Sequence, residues 1–380
     1  MPLRPPRVRI NRVEIEGFKS IRNASLDLPS VNLLIGANGA GKSNFASFFA
    51  MTSASLNGSL SGYVDPHGGA RSFLHQGAKF TDQIYWKWDV STEGGDGSVV
   101  QLLSFKAPDA LIYSTHHSKV EHSIDLQTTI FDDVCAIRTE RSRLHNRRIF
   151  NGLKDGIGTY HFQDTSINGP LRGPADVSET LRLDGDGKNL PAILHYYEEA
   201  EKSSKSSSKS KPSSQAFTRI TRTVRKFFPG FDRFVLVPEA DDRRILLRWR
   251  HRDSDQVYGP HQLSDGTLRA IALITLLLQP KEDLPNLIVI NEPELGLHPV
   301  GIELIAELIQ AVSLHCQVIV STQSTVMLDC FEPEQVVVVD AEKGSSTFRR
   351  LDRRELARWL KSYTISDLWR KNVVGGSPLP

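Results

Sequence analysis

Residues 36–43, GANGAGKS, combine residue types and a spacing that suit phosphate binding. They fit the pattern G-x-x-x-x-G-K-[ST], after the apolar run VNLLI and before the helix-like stretch FASFFAMTSASL. In such a loop, glycines let backbone N–H groups face phosphate oxygens, Lys42 reaches the β- and γ-phosphates, and Ser43 is placed for Mg²⁺. The sequence therefore predicts a site for ATP and Mg²⁺. The residues expected to hold the nucleotide are Gly36, Asn38, Gly39, Gly41, Lys42, Ser43 and Asn44.

A second candidate group lies in residues 287–299, LIVINEPELGLHP. The apolar run predicts a buried central strand, and the acidic residues after it lie where open α/β sheets bind ligands. We expect Glu292 to position or deprotonate the attacking water. Asn291 stands where an aspartate usually holds Mg²⁺, and its neutral amide predicts weaker metal binding and slower hydrolysis.

Two further short segments carry polar side chains next to predicted helices and strands. Residues 263–267, LSDGT, open a helix, and small polar residues at a helix N-terminus form an anion site. The chain already has a phosphate loop for its own nucleotide, and Ser264 also fits an ordinary N-cap. The segment STQS follows a buried strand and contains Gln323, which can hydrogen-bond phosphate but does not titrate near neutral pH.

The order phosphate loop, LSDGT, acidic strand and STQS resembles that of ABC-type ATPases. LSDGT is similar to the SMC and RecF form of the signature motif more than to the transporter form. The resemblance implies that Ser264 and Gly266 contact the γ-phosphate of ATP bound by a second subunit. The expected assembly is therefore a homodimer with ATP sandwiched between its heads.

The resemblance also implies the remaining roles in the site. The expected catalytic residues are Glu292, Gln323 and Lys42, with Gln323 in the place of a histidine that the family usually has. The expected metal-contacting residues are Ser43, Gln76 and Asn291. Gln76, in SFLHQGAKF, is a candidate for the family's metal- and water-contacting glutamine, and it fits a solvated loop equally well.

Smaller segments resemble one branch, the RecF-like and OLD-type bacterial AAA-family ATPases. The resemblance covers roughly residues 8–90 and 160–376, and the segments are YHFQDTS, DGKNL and DLWRKNVVGG. OLD nucleases carry a C-terminal nuclease domain, for which the sequence after Gln323 is too short. The resemblance therefore implies that a nuclease working with this protein is a separate chain.

The elements that must position these residues follow from the hydrophobic pattern. Apolar residues two apart predict strands within 8–35, and the last third alternates apolar strands with helices of period 3.6, which predicts a mostly parallel sheet. A helix is expected over 177–200, and the segment RITRTVRKFFPGF is expected to be a basic helix. The expected core positions of the helix at 177–200 are Leu181, Leu190, Ile193, Leu194 and Tyr197.

Pattern and resemblance together predict an α/β fold, an ABC-type ATPase head with a mostly parallel central sheet. An antiparallel β edge region and a helical lobe with the signature motif complete it. The expected segments are the N-terminal part of the ATPase lobe (1–90), a family-variable insertion (91–160), a helical lobe (161–260) with a Ser/Lys-rich mobile loop (203–214), the signature motif with the C-terminal part of the ATPase lobe (261–345), and a basic extension (346–380).

Composition excludes few classes of protein. The chain has 380 residues, of which 39% are hydrophobic, and a formal net charge of +2. The longest apolar run, residues 270–278, is too short to cross a bilayer, and the N-terminus lacks the apolar stretch of a secretory signal. The three cysteines indicate neither a disulfide framework nor a zinc site. We therefore expect a cytoplasmic protein without a membrane partner.

Basic residues cluster in three places, and arginine-rich surfaces suit phosphate backbones. Two clusters lie at 202–226 and 349–371, and the third consists of Arg138, Arg141, Arg143, Arg147 and Arg148. No base-reading motif is present, so DNA contact through these residues is expected to be independent of sequence. Such runs also fit solvated faces or salt bridges.

The expected function is a DNA-linked ATPase that closes on ATP and gates a separate partner such as a nuclease, in repair or anti-phage defence. Two alternatives stay open. Asn291 and Gln323 also fit a nucleotide-sensing scaffold with little hydrolysis. A transporter ATPase subunit is the other alternative, against which the signature motif and the irregular residues 91–160 argue.

Overall fold

A computed structural model of the chain describes residues 6–114, 127–131, 135–139, 143–205, 215–239 and 243–377. Within these residues the strands are β1 (Arg9–Phe18), β2 (Ile21–Asp27), β3 (Val31–Ile35), β4 (Gln83–Thr92), β5 (Gly95–Lys106), β6 (Ala110–Tyr113), β7 (Gln127–Phe131), β8 (Cys135–Thr139), β9 (Ile157–Tyr160), β10 (Ala175–Asp176), β11 (Phe231–Phe234), β12 (Arg244–Ile245), β13 (Trp249–His251), β14 (Val257–Tyr258), β15 (Leu287–Asn291), β16 (Gln317–Ser321), β17 (Val336–Glu342) and β18 (Ser345–Arg350).

The α-helices vary in length from one turn to four. In chain order they are α1 (Lys42–Leu56), α2 (Leu60–Val64), α3 (Arg143–Lys154), α4 (Leu190–Lys205), α5 (Ala216–Phe227), α6 (Asp265–Leu278), α7 (Pro299–Val312), α8 (Thr325–Asp329), α9 (Arg353–Leu356) and α10 (Ile365–Arg370). The described part of the chain contains no helix with both the length and the apolar character needed to cross a membrane.

The central sheet has the strand order β18-β17-β3-β16-β15-β9. β3 pairs in parallel with β16 on one side and β17 on the other, while β18 runs antiparallel at the edge. All five residues of β3 and of β16 are buried, the pattern expected for inner strands of a parallel sheet covered on both faces. The predicted α/β fold with a mostly parallel sheet is confirmed.

A second sheet is antiparallel and has the order β2-β1-β4-β5-β8-β7, with β6 also paired to β5. Helix α1, directly after the phosphate loop, sends Phe45, Phe48 and Phe49 into the core that this sheet shares with the central sheet. Phe49 stacks on Trp88 of β4 at 5.9 Å between ring centroids. Because burial of such aromatic side chains dominates core energetics, the loop is anchored by the helix that follows it.

Contacts between Cα atoms divide the chain into two units. The first contains residues 1–159, 285–289 and 316–380, and therefore both the antiparallel sheet and the phosphate loop. The second contains residues 160–284 and 290–315, with helices α4 to α7 and the small sheets β10-β12 and β11-β13-β14. The five segments expected from the sequence stay a prediction.

The helix expected over 177–200 is shorter than predicted, because α4 begins only at Leu190. Leu181 is 85% exposed, so its assignment to the core was wrong, whereas the other four expected core residues are buried. Asn189 explains the difference. Its side chain accepts from Asp184 N and donates to the carbonyls of Glu179 and Arg182, which holds this stretch in turns in place of a helix.

Other helices and strands agree with the sequence pattern. The predicted basic helix is α5, and the apolar run that ends before Pro280 is α6. The Ser/Lys-rich loop expected at 203–214 lies, from residue 206 to residue 214, outside the described residues.

Candidate functional site

The phosphate loop, residues 36–43, follows β3 directly and leads into α1. Two of its glycines are required because neighbouring atoms leave no room for a Cβ atom. A Cβ atom on Gly36 would lie 2.2 Å from the carbonyl oxygen of Val339, and one on Gly41 would lie 2.0 Å from Ser346 Oγ. Gly41 also has φ +117°, a value that side-chain-bearing residues rarely adopt. The loop is therefore specified by glycine at both ends.

Lys42 is buried in this loop. Its Nζ donates hydrogen bonds to the carbonyl oxygens of Gly36, at 2.6 Å, and Ala37, at 3.0 Å. The first turn of α1 has no acidic residue, and its N-cap, Gly41, makes no side-chain capping bond. The loop thus brings together a lysine ammonium and the positive end of a 15-residue helix, a combination that suits an anion.

A buried hydrogen-bond network supports the loop from behind. Ser346 Oγ donates to Ala40 O at 2.6 Å and lies 2.7 Å from Ser20 Oγ, which also accepts from Asn44 Nδ2 at 2.7 Å. The structure therefore directs the Asn44 amide to the turn between β1 and β2. Ser43, Asn38 and Gly39 are exposed.

A cavity of about 370 Å³ lies beside the start of the phosphate loop. Gln323, which can hydrogen-bond phosphate, lines this cavity, as do the loop residues Gly36, Ala37 and Asn38. Gln323 lies between β16 and α8, whose N-cap Ser324 accepts a hydrogen bond from Met327 N. The structure thus brings Gln323 next to the phosphate loop.

Gln76 lies in an exposed turn with φ +56°, and its amide approaches Gly344 in the turn between β17 and β18. Hydrogen bonds of His75 to the carbonyl oxygens of Gly17, in β1, and Lys19, just after β1, hold the turn in place. The structure shows no hydrogen bond from Gln76 to another candidate site residue among the positions it describes.

Glu292 belongs to the second unit and is held by a neighbour that the sequence reasoning missed. Gln163 Nε2 donates a hydrogen bond of 3.0 Å to Glu292 Oε2. Glu292 has φ +49°, a left-handed conformation that costs a non-glycine residue on the order of 1 kcal/mol or more. Such local strain is typical of functional positions, since the surrounding structure must maintain it.

Asn291, next to Glu292, is also engaged by the segment that contains Gln163. Its Nδ2 donates to His161 Nδ1 at 3.1 Å, which requires that this ring nitrogen carry no proton. Desolvation lowers the pKa of His161 from its ordinary value, while the negative charge of Glu292 opposes the shift. The neutral imidazole that the hydrogen bond requires is therefore the favoured form.

The signature segment begins α6. Ser264 is the N-cap of this helix, with its Oγ accepting from Thr267 N, and it is exposed. Gly266 is buried, and a Cβ atom there would lie 2.1 Å from the carbonyl oxygen of Gly296. Within one chain, Gly266 therefore permits close packing against the turn before α7, whereas Ser264 is exposed to solvent.

The buried side chain of Arg172 holds the start of α6 in place. It donates hydrogen bonds to Thr165 O at 2.8 Å, to Leu263 O at 3.3 Å and to Asp265 Oδ1 at 2.7 Å, and also to Pro260 O. The hydrogen bond from Arg172 lowers the pKa of the Asp265 carboxyl.

Arg269 of α6 connects this helix with the segment that carries Gln163. It donates to the carbonyl oxygens of Phe162, Gln163 and Leu295 at 3.0, 2.8 and 3.2 Å. The signature helix and the Gln163–Glu292 pair are therefore joined within the second unit.

A known protein family matches the middle part of the chain. Residues 117–329, more than half of the chain, match the family described as "AAA domain, putative AbiEii toxin, Type IV TA system". The chain belongs to this family. The matched part contains Ser264, Gly266 and Glu292, while the phosphate loop precedes it.

Solved structures with a similar fold are SMC head domains. An SMC head bound to the C-terminal winged-helix domain of ScpA has a TM-score of 0.60 and 15% identity over 92% of this chain and 99% of its own. An SMC head with an extended coiled coil from Pyrococcus furiosus, bound to the C-terminal domain of ScpA, has a TM-score of 0.57 and 17% identity over 93% of this chain and 99% of its own. An SMC head with a coiled coil and joint from Pyrococcus yayanosii has a TM-score of 0.56 and 10% identity over 93% of this chain and 99% of its own. At these identities the likeness shows the fold, an SMC-type ATPase head. No curated protein matches the chain.

Family and fold together indicate an ATPase that binds ATP and typically Mg²⁺. The sequence could have identified Gln163, because it lies in the segment YHFQDTS that was singled out for its resemblance. The pairing of Gln163 with Glu292, 129 residues apart, becomes visible only in the structure.

The first basic cluster is partly described. Arg138 lies in β8, Arg143 begins α3, and Arg147 and Arg148 on the same helix are exposed; Arg141 lies outside the described residues. In the second cluster, Lys202 contacts Glu199 at 2.9 Å and Arg225 contacts Asp232 at 3.4 Å. Lys202 and Arg225 therefore form salt bridges, the alternative to DNA contact that the sequence left open for the basic clusters.

Proposed function

We propose that the protein binds ATP and Mg²⁺ at residues 36–43 and hydrolyses ATP with Glu292 as the residue that activates water. The observation that carries this proposal is the conformation of the phosphate loop, with Lys42 Nζ held on the carbonyls of Gly36 and Ala37 at the start of α1. A bound phosphate chain competes for this ammonium, and Ser43, exposed at the same helix start, is the proposed metal-contacting hydroxyl.

The other roles follow from chemistry and contacts. Gln323 is proposed to hydrogen-bond the γ-phosphate, because it lines the cavity beside the loop. Gln163 is proposed to orient the Glu292 carboxylate and the attacking water, since it donates to that carboxylate. Asn291 is the proposed metal-contacting residue near Glu292, with a neutral oxygen as its ligand atom.

We further propose that two copies dimerise around two ATP molecules and that closure gates a separate partner, such as a nuclease, in DNA processing or anti-phage defence. Ser264 of one copy would contact the γ-phosphate bound by the other, which its exposure at the start of α6 supports. The binding of ScpA domains by SMC heads supports a protein partner for a fold of this type. Such closure is a two-state change biased by the γ-phosphate.

DNA contact through the first basic cluster is part of the same proposal. The exposed side chains of Arg147 and Arg148 on α3 support it, because arginines reach phosphate oxygens in pairs of hydrogen bonds. A cytoplasmic location is likewise proposed.

A nucleotide-sensing scaffold with little hydrolysis is the second candidate. Asn291 favours it, because this amide donates to His161 and contributes no negative charge to hold Mg²⁺. In this alternative ATP binding still closes the dimer, and the scaffold opens by nucleotide exchange.

Steady-state ATP hydrolysis by the purified protein with Mg²⁺ tests the proposal. Glu292→Gln keeps the size and a hydrogen-bonding group while removing the carboxylate, so turnover should fall by about 100-fold or more with ATP still bound. Double-stranded DNA should stimulate the wild type but not the variant. Wild-type turnover no higher than that of Glu292→Gln, with ATP bound by both, would contradict the ATPase and favour the scaffold.

A further inference from the structure

The C-terminal segment 365–377 packs against the phosphate loop. A Cβ atom on Gly376 would lie 3.4 Å from Gly36 Cα, so the chain passes directly over the first residue of the loop. Gly376 has φ +67°, and the same Cβ atom would lie 2.7 Å from Val338. Glycine is therefore needed at this position for the segment to approach the loop.

Several hydrogen bonds fix the segment in place. Gly376 N donates to Asp340 Oδ1 at 2.8 Å, and Arg349 donates to Val374 O. At the other end, the N–H and hydroxyl of Ser366 both donate to the carboxylate of Asp329, at 2.9 and 2.7 Å. Both ends are thus anchored to elements of the first unit.

Two residues of α10, Trp369 and Arg370, line the cavity beside the phosphate loop. Trp369 is 5% exposed, and its indole N–H has no hydrogen-bond partner in the described part of the chain. A buried N–H group without an acceptor costs roughly 1–3 kcal/mol, so an acceptor at this position would be favourable.

Arg370 is exposed, and none of the ion pairs found among the described residues involves it. Its neighbour Lys371, by contrast, lies over the ring of Tyr363 at 5.4 Å. Arg370 therefore brings a positive charge to the cavity that no carboxylate of the described residues compensates.

We propose that Trp369 and Arg370 bind the terminal phosphate of the nucleotide, so that the C-terminal segment distinguishes ATP from ADP. This inference rests on the proposed ATP site. The cavity adjoins the end of the phosphate chain, because Lys42, which reaches the β- and γ-phosphates, bonds to Gly36 and Ala37, two residues that line it. Arginine suits this role because its guanidinium donates two parallel hydrogen bonds to phosphate oxygens.

Equilibrium binding of ADP and of the non-hydrolysable β,γ-imido analogue of ATP, measured by calorimetry with Mg²⁺, tests this inference. Arg370→Ala should weaken binding of the ATP analogue by about tenfold, as loss of a charge-assisted hydrogen bond predicts, and change ADP binding by less than about twofold. Arg358→Ala is the matched control, since Arg358 is an exposed arginine that precedes segment 365–377 and does not line the cavity. It should change neither affinity.

Trp369 gives a second readout. Its fluorescence should change on addition of the ATP analogue but not of ADP, and Trp369→Phe, which keeps an aromatic ring but removes the N–H, should abolish that change. The inference would be overturned if Arg370→Ala weakened binding of both nucleotides equally, or of neither. Lys42→Ala should abolish binding of both nucleotides in the same assay, which shows that the assay reports on the phosphate loop. Failure of the wild type to bind either nucleotide would overturn the ATP site itself.

Discussion

At the scale of single residues, two glutamines compete for one role. Gln163 donates to Glu292, while Gln76 is exposed in a turn near Gly344. We expect Gln163→Ala to lower kcat for ATP hydrolysis by about tenfold or more with ATP affinity nearly unchanged, because the carboxylate loses the donor that orients it. Gln76→Ala should leave kcat within about twofold. The reverse ranking in steady-state assays would favour Gln76 as the site glutamine.

His161 gives the site a pH dependence. Because the folded protein lowers its pKa below the ordinary value of 6.5, the unfolded chain binds the proton more readily, and stability falls as pH decreases below that value. The contribution is fully present above pH 6.5. Protonation of Nδ1 also removes the acceptor for Asn291.

Urea unfolding midpoints measured between about pH 7.5 and pH 5.5 should therefore drop more in the wild type than in His161→Gln, whose side chain stays neutral. The same slope in both proteins would show that His161 does not contribute.

At the scale of elements, the sequence predicts best where the hydrophobic period is long and uninterrupted. Helices α6 and α7 and strands β3, β15 and β16 lie where their apolar patterns predict them. The failure at residues 177–189 has a local cause, because Asn189 satisfies backbone groups that a helix would have bonded internally. The spacing of apolar residues does not predict such hydrogen bonds between a side chain and the backbone.

The start of α6 depends on a residue that no pattern indicates. Arg172 satisfies backbone carbonyls of Thr165, Pro260 and Leu263 from a buried position. Arg172→Met should destabilise the protein by about 2–4 kcal/mol, because it leaves those acceptors without their donor. Denaturant unfolding would measure this, with Arg222→Met on the exposed face of α5 as a control that changes stability by less than about 0.5 kcal/mol. Equal stability of the two variants would contradict this role for Arg172.

At the scale of the whole molecule, local motifs could predict the ATPase head but not every contact of its site. Three short segments indicate their chemistry by their own residue types, without the rest of the fold: the phosphate loop, LSDGT and the strand before Glu292. The Gln163–Glu292 hydrogen bond and the packing of Gly376 on Gly36 join residues that are distant in sequence. Such pairs depend on the complete topology, and one sequence does not specify them.

An ATP site formed by two copies of the chain and a site formed by one chain alone predict different results when two variants are mixed. Lys42→Ala should remove ATP binding, and Ser264→Asp should block the γ-phosphate by charge while keeping the N-cap, since aspartate caps helices as well as serine does. Each variant alone should be inactive. In a mixed dimer, one site combines both defects, and the other has an intact phosphate loop from one copy and an intact signature segment from its partner.

If ATP is held between two copies, an equimolar mixture of these variants should regain about a quarter of wild-type turnover, because half of randomly formed dimers are mixed and each has one intact site of two. Ser264→Asn, which keeps the cap without the charge, should remain largely active alone. Adding Glu292→Gln to the Ser264→Asp chain, which supplies the intact phosphate loop, should abolish the regained activity, whereas adding it to the Lys42→Ala chain should not. No recovery in the mixture, although size-exclusion chromatography with ATP shows mixed dimers, would mean that each chain completes its own site and that Ser264 acts only as a helix cap.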